Sequence, residues 1–295
     1  VTPIGEIQGD GARSALDGQT VTVEGIVTAT FPGLGGFFVQ DAGDGQATTS
    51  DALFVAFEEG VHAPAMASGD RVRVRGIVGE RKAGGDDTLT ALHAPVIQPR
   101  GTGHIAPTVL TALPADWEPL EGMLVRIDAP LTLSGTHTLE RFGELIASFD
   151  GRLWQPSELA VPGSADAQRR AADNARRTLL LDDGSAQRDP AGVWYVKDGQ
   201  PLRTGTVLTG VQGIVEQRLG SWRLQLTTAP TIAAPERPAA PQVAGNVRIA
   251  AFNLENLFNG DGRGGGFPTE RGAKTPEQLN AQMAKLVATI RGLDL

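Results

Sequence analysis

The sequence predicts a mainly β protein, built as two small barrels in tandem followed by a short α/β segment. Three observations carry this. Glycine and proline number 38 and 19 in 295 residues, so turns are dense and long helices are disfavoured. Short runs alternate apolar and polar residues with the two-residue period of half-buried strands. One phrase also recurs, at Val21-Thr-Val-Glu-Gly-Ile-Val27 and Val72-Arg-Val-Arg-Gly-Ile-Val78, with a weaker echo at Gly210-Val-Gln-Gly-Ile-Val215. Its glycine falls in mid-strand, where a strand bends, and bent strands turn the corners of small barrels. The spacing of the phrase is too irregular for a solenoid.

Residues 1–105 carry five strand patterns, at 20–30, 36–41, 52–57, 70–80 and 88–98, separated by turn clusters such as Asp41-Ala-Gly-Asp-Gly45. Five short strands with a bent first strand fit an OB-like barrel. Residues 106–230 repeat the plan less cleanly, with strands at 122–133, 143–149, 178–182, 205–217 and 222–227 and an Ala/Arg-rich helical insert at 164–177. Pro230, Pro235, Pro238 and Pro241 then mark a semi-rigid linker over 231–246. After it the grammar changes. Val247-Arg-Ile-Ala-Ala-Phe252 reads as a compact apolar strand ending at Asn253, and a glycine-rich loop follows at 259–266. Thr275-Pro-Glu-Gln278 is a helix start, with Thr275 as N-cap and Gln278 in the capping-box position. Leu279, Met283, Leu286, Val287 and Ile290 share one face of that helix and Gly292 ends it. Leu293-Asp-Leu295 looks like the opening of a further strand. Residues 247–295 therefore read as the incomplete beginning of an α/β domain, too little to bury a core alone.

Composition narrows the function classes. Hydrophobic residues are 40% and charged residues 20%, an ordinary globular balance. No run of about 18 apolar residues occurs, so no membrane span is expected. The absence of cysteine excludes disulfides, thiolate metal sites and cysteine nucleophiles. Val1 stands where Met would begin a chain, so processing is expected upstream. Net charge is −8, distributed as −6, −3 and +1 over residues 1–105, 106–240 and 241–295. No segment is basic enough for bulk charge to drive nucleic-acid binding; only local patches remain. Lysine accounts for only Lys82, Lys197, Lys274 and Lys285, an arginine bias better ascribed to genome composition than to phosphate binding.

Several phrases together resemble a known family. Ala250-Ala-Phe-Asn-Leu-Glu-Asn-Leu-Phe258 is similar to the opening strand of the endonuclease/exonuclease/phosphatase superfamily, which ends in Phe-Asn. Arg271-Gly-Ala-Lys-Thr275, with Gln282 and Lys285 on the following helix, resembles the secreted bacterial DNases within it. Gly36-Phe-Phe-Val-Gln-Asp41, Gly151-Arg-Leu-Trp-Gln-Pro156 and Leu179-Leu-Leu-Asp-Asp-Gly184 are similar to the tandem OB-like region that such nucleases carry ahead of the catalytic domain. The resemblance implies a secreted, extracellular bacterial hydrolase that cleaves phosphodiester bonds of DNA with Mg2+, or Ca2+ or Mn2+ in its place. It implies Asn253 as a catalytic residue that orients the scissile phosphate or a metal-bound carboxylate. The metal-binding Glu of the family is expected beyond Leu295, and His62, His93, His104 and His137 all lie upstream of the family's catalytic His. The chain itself is accordingly expected to be inactive, its barrels holding or positioning DNA.

Each candidate residue also has a plainer reading. Asn253, on residues alone, is a strand-terminating Asn that caps the turn into Leu254-Glu-Asn256. Arg71, Arg73 and Arg75 alternate with Val72 and Val74, so all three face away from the barrel core. Such a stripe can track a phosphate backbone; the favoured alternative is a solvated face whose arginines pair with acids such as Glu24. Of Phe37, Phe38, Phe54 and Phe57, at least one ring of each pair is expected in the core. Arg169, Arg170, Arg176 and Arg177 fall on adjoining stripes of the predicted helix and form the densest positive patch, the preferred DNA-contact candidate beside the equal reading of a mobile solvated insert. Asp41, Asp44 and Asp51 lack the alternation and closing Glu of a calcium loop, so turn chemistry is favoured. Gly264-Gly-Gly266 lacks the Lys-Ser/Thr tail of a phosphate loop. Trp154 is expected to pack the second barrel.

Two rival functions stand beside the nuclease reading. The acidic barrels can be a non-catalytic docking module, or the parent can be a phosphomonoesterase or phosphodiesterase of small or lipid substrates that shares the same first strand.

Overall fold

A computed structural model describes residues 1–58, 64–197, 202–233, 239, 244–247, 249–261 and 266–293. His62, three of the four linker prolines (235, 238 and 241), Arg248, Gly264, Gly265 and residues 294–295 of the expected last strand lie outside the described residues. The chain is mainly β and divides into two compact units, Val1–Pro235 and Glu236–Leu295.

The first half of unit 1 contains α1 (Ile4–Gln8), β1 (Thr20–Phe31), β2 (Gly36–Gln40), β3 (Ala52–Ala56), β4 (Asp70–Gly84) and β5 (Asp87–Thr102). All five expected strands are present. They close into a barrel in the order β1-β2-β3-β5-β4, in which β3 and β5 run parallel and the other pairs antiparallel. β1 serves both sides of the closure. Thr20–Ile26 pairs with β4 and Ile26–Phe31 with β2, with a register shift between Val27 and Ala29. Gly25, the glycine of the recurrent phrase, sits at this corner, where a Cβ would lie 2.7 Å from the Gln40 carbonyl oxygen. Val21, Val23, Val27, Phe37, Val39, Leu53, Val55, Val72, Val74 and Leu92 fill the interior.

The second half contains β6 (Thr108–Leu110), β7 (Leu124–Ile127), β8 (Leu131–Gly135), α2 (Leu139–Phe142), β9 (Leu145–Ser148), α3 (Pro156–Leu159), α4 (Ala165–Arg177), β10 (Thr178–Asp182), β11 (Val207–Thr209), β12 (Val211–Arg218), β13 (Ser221–Leu226) and β14 (Thr231–Ala233). These strands form one nine-stranded sheet in the order β14-β11-β8-β9-β10-β13-β12-β7-β6. The expected strand at 122–133 is broken at Asp128–Pro130, since proline cannot donate to a ladder, and the one at 205–217 breaks at Gly210, whose φ is +66°. The run β8-β9-β10-β13-β12-β7 thus begins and ends on one stretch of chain, residues 124–135, with β10 and β13 as its parallel pair.

The two halves share an apolar junction. β2 and β3 are buried on both faces, the pattern of a strand covered twice. Phe37 points into the barrel, whereas Phe38 and Phe54, 4.9 Å apart between centroids, point out of it and pack with Phe31, Leu89 and Ala91 against Leu124 and Ile214. Phe57 packs against the barrel core. The Phe pairs therefore serve packing. Ser50 Oγ donates to the Glu121 carbonyl at 2.5 Å, and Leu124 N donates to Gln40 Oε1 at 3.1 Å. The β4–β5 and β12–β13 hairpin tips also meet, where the Gly220 backbone N–H donates to the Asp87 carboxylate.

Glu121 is buried at this junction with 5% exposure. Burial, followed by the neighbouring Glu118 carboxylate, pushes its carboxyl well above the ordinary value of 4.5, while a hydrogen bond to the Thr90 backbone works the other way. An acid whose pKa rises on folding contributes most stability below its unfolded value, and the contribution is lost as pH climbs from there towards the folded value. Glu121→Gln is expected to match the wild-type urea midpoint near pH 4 and to exceed it increasingly as pH rises. Parallel midpoints across that range would refute the assignment.

Inside the second half a buried ionic network crosses β10, β12 and β13. Arg223 Nη1 donates to Asp182 Oδ2 and to Glu144 Oε1, each at 2.6 Å. Gln225 Nε2 donates to Glu216 Oε2 at 2.6 Å, and Glu216 also pairs with Arg218 at 2.5 Å.

Unit 2 contains α5 (Pro276–Gly292), which begins and ends where its capping residues predict. Thr275 Oγ1 accepts from Gln278 N at 3.2 Å, and Gln278 Oε1 accepts from Lys274 N at 2.7 Å. The expected strand at 247–252 is not formed: Val247 and residues 249–252 lie outside any strand, with Ile249 92% exposed. A lone strand has no ladder partner to satisfy its backbone, and none is present among the described residues.

Candidate nucleic-acid interface

α4 forms where the Ala/Arg-rich insert predicts it, with Ser164 Oγ accepting from Ala167 N at 3.2 Å as its N-cap. Its four arginines lie on adjoining stripes, yet each is paired within the helix. Arg169 and Arg170 reach Asp166 at 3.1 Å, Arg176 reaches Asp173 at 2.7 Å and Arg177 reaches the same Asp173 at 3.2 Å. Such i,i+3 and i,i+4 pairs stabilise by only about 0.3–0.5 kcal/mol each, so a phosphate can compete for the exposed members. Arg169 and Arg176 are the open ones, at 72% and 61% side-chain exposure. Arg177 is 16% exposed and holds a turn, donating to the Phe149 and Gly151 carbonyls at 3.1 and 3.0 Å. The structure makes Arg177 a clamp.

The last turn of α4 brings together what the sequence leaves far apart. On one flank Ala175 and Arg176 line a pocket of about 420 Å3 with Asp116, Trp117, Ser221 and Trp222. Trp117 is buried and stacks on the half-buried Trp222, with ring centroids 6.4 Å apart. On the other flank Asn174 Nδ2 donates to the Trp154 carbonyl at 2.8 Å, and the Arg152 guanidinium lies 3.6 Å from the centroid of the Trp154 ring. Trp154 is 45% exposed, contrary to the expected packing role; its backbone is tied to α4 while its ring remains outside the core. Two tryptophans, each with an arginine nearby, thus flank one helical turn. An aromatic face with an adjacent cation can stack a base and attract a backbone phosphate. Asp116 and Asp173 temper that attraction.

Arg71, Arg73 and Arg75 face outward from β4 as their alternation predicts. Arg73 pairs with Glu24 at 2.5 Å, its cross-strand neighbour in the ladder, as the plainer reading anticipates. Arg71 and Arg75 make no ion pair among the described residues.

In unit 2, Asn253 is exposed and its Oδ1 accepts from Glu255 N at 2.9 Å, the Asx-turn geometry of the plainer reading. Glu255 and Asn256 have φ of 50° and 54°, and Gln282 Nε2 holds the turn through the Leu254 and Glu255 carbonyls at 3.1 and 2.8 Å. In the acidic loop, Asp41 and Asp44 accept from Gly43 N and Gln46 N at 2.9 and 2.8 Å, again turn chemistry. Among the described residues no group of three or more His, Asp or Glu side chains is arranged to hold a metal ion. The family resemblance places its metal-binding Glu beyond Leu295. No helix among the described residues is long and apolar enough to cross a membrane.

Composition points to arginines, but Trp117 and Trp222 carry no local signal. They lie about a hundred residues apart, and the pairing of β13 with β10, directly after α4, brings Trp222 to the end of that helix. Arg152 beside Trp154, two residues apart, is the one visible hint.

A family described as a domain of unknown function, DUF8508, matches residues 115–236. The match is less than half of the chain and spans α4 together with the pocket at its end. No curated protein matches the chain.

Proposed function

We propose that this chain is the DNA-positioning region of an extracellular, metal-dependent endonuclease, with two OB-like barrels ahead of the leading segment of an endonuclease/exonuclease/phosphatase domain. The observation that carries the DNA-binding part is the last turn of α4, where Arg176 and Trp222 line one pocket and Arg152 covers Trp154 on the other flank. Sheet topology supports the barrel reading. The order β1-β2-β3-β5-β4 with a parallel β3–β5 pair is repeated in the second half if residues 124–135 count as one broken first strand. The nuclease part rests on the Phe252-Asn253 phrase and the helix that follows it, and in this reading Asn253 takes its catalytic role only within a complete domain.

Stacking platforms favour unpaired bases over a closed duplex, so a labelled single strand is expected to bind more tightly than the same sequence as duplex in fluorescence anisotropy at low salt. Trp222→Ala is expected to weaken single-strand binding by about 1–3 kcal/mol, and Arg176→Glu to flatten the salt dependence by roughly one unit of slope. A second reading, a non-catalytic docking module, is favoured by the internal pairing of all four α4 arginines. No binding of either strand form at low salt would eliminate DNA positioning and leave that second reading.

A further inference from the structure

A second cleft lies away from the α4 pocket, between β1 and the β12–β13 face of the second half. It is an open cleft of about 510 Å3, within the range of small-molecule sites, and is walled by strands of both halves. Its lining includes Thr28, Thr30, Ser68, Gln212, Thr228 and Trp194, with no lysine or arginine among the described residues. Trp194 is 53% exposed, yet its ring is held: Nε1 donates to the Asp183 carbonyl at 2.9 Å and the ring packs edge-on against Tyr195. The Asp183 carboxylate is engaged as well, accepting from Ser185 N at 2.9 Å. Gly184 lines the wall and Gly33 packs behind it. A Cβ on Gly184 would overlap the Phe31 ring, and one on Gly33 would stand 3.1 Å from Ser185 Cα. The platform is therefore fixed before any ligand arrives.

The chemistry selects a ligand class. Among the described residues Asp183 is the only charged one in the lining, so phosphates and other anions are repelled. Ser68 and Thr228 make no side-chain hydrogen bond among the described residues, and each hydroxyl both donates and accepts. An immobilised indole face surrounded by hydroxyls and an amide, without a cation, matches a molecule with an apolar C–H face and a rim of hydroxyl groups. We infer that this cleft binds a neutral saccharide of one or two rings, stacked on Trp194 and hydrogen-bonded by Ser68, Gln212 and Thr228.

Saturation-transfer NMR and tryptophan-fluorescence titration of the whole chain test this with glucose, galactose, N-acetylglucosamine and their β-1,4-linked disaccharides at millimolar concentration. At least one is expected to bind saturably, with ring C–H protons most strongly saturated and with no change in affinity between low and high salt. Trp194→Ala is expected to weaken binding by about tenfold or more, whereas Val161→Ala, at an exposed position outside the cleft, leaves it unchanged. Thr228→Val keeps the test readable should Trp194→Ala fail to fold, and it too is expected to weaken binding. Failure of every saccharide to bind would overturn the inference, as would binding that survives both cleft substitutions or that requires a charged sugar.

Discussion

Arg223→Ala is expected to be the most damaging substitution in unit 1, costing about 3–5 kcal/mol, the range for removing one partner of a buried ion pair. Arg223 and Asp182 are each 3% exposed at the side chain and Glu144 is 14% exposed, so truncation strands one fully buried and one largely buried carboxylate. Burial already pushes the Asp182 carboxyl above its ordinary value, and the Arg223 guanidinium pulls it back. The network has no slack, because Asp182 Oδ1, Arg223 Nε and Gln225 Oε1 are buried without a hydrogen-bond partner among the described residues. For a unit of this size the loss corresponds to a fall in melting temperature of roughly 6–20 °C. Removing both charges, as Asp182→Leu with Arg223→Met, is expected to recover part of the loss, since an apolar pair avoids the desolvation cost. Calorimetry on the wild type, Arg223→Ala and the double variant decides the matter: a loss below about 1 kcal/mol in Arg223→Ala, or a double variant less stable than Arg223→Ala, is incompatible with a buried ion pair that matters.

The second large effect is expected at Gly213 and Gly25. Both lie where one strand pairs on two sides: Gly213 faces Leu226 of β13 and Val125 of β7, and Gly25 faces Val72 of β4 at the corner where β1 turns towards β2. A methyl group on Gly213 would stand 2.5 Å from the Gln225 carbonyl oxygen, and one on Gly25 would stand 2.7 Å from that of Gln40. The obstacle in each case is backbone held in a ladder and cannot swing aside. Overpacking of this kind costs about 1–3 kcal/mol. Gly192, where a methyl group would meet nothing within 4 Å, serves as the control, with an expected change within about 0.5 kcal/mol. Urea midpoints that treat the three alanine variants alike would show that the close approach has no energetic weight.

The same glycines explain why so much of the architecture is legible in the sequence. The recurrent phrase marks Gly25, Gly76 and Gly213, and at each a neighbouring strand comes within 3.0 Å of the missing Cβ. A bent strand needs this residue type, so its position survives translation into three dimensions. α4 and α5 are legible for a similar reason, because Ser164 and Thr275 cap them through local bonds. Long-range effects are not visible in this way. Phe38 and Phe54 alternate like barrel residues, yet they face outward because a second half covers them. Residues 247–252 have the composition of a strand, but composition supplies no partner. The site is the least legible part: charge draws attention to Arg177, which clamps a turn, and away from Trp222 and Trp194, whose surroundings arise only when distant segments meet.

The cluster in which Phe31, Phe38 and Phe54 meet Leu124 and Ile214 couples the two halves. A bulkier side chain at Leu124 demands a smaller one opposite, and the ring pair of Phe38 and Phe54 leaves little freedom to supply it. Parting the halves would bare an oily seam on each, so the two are expected to melt together in a single transition.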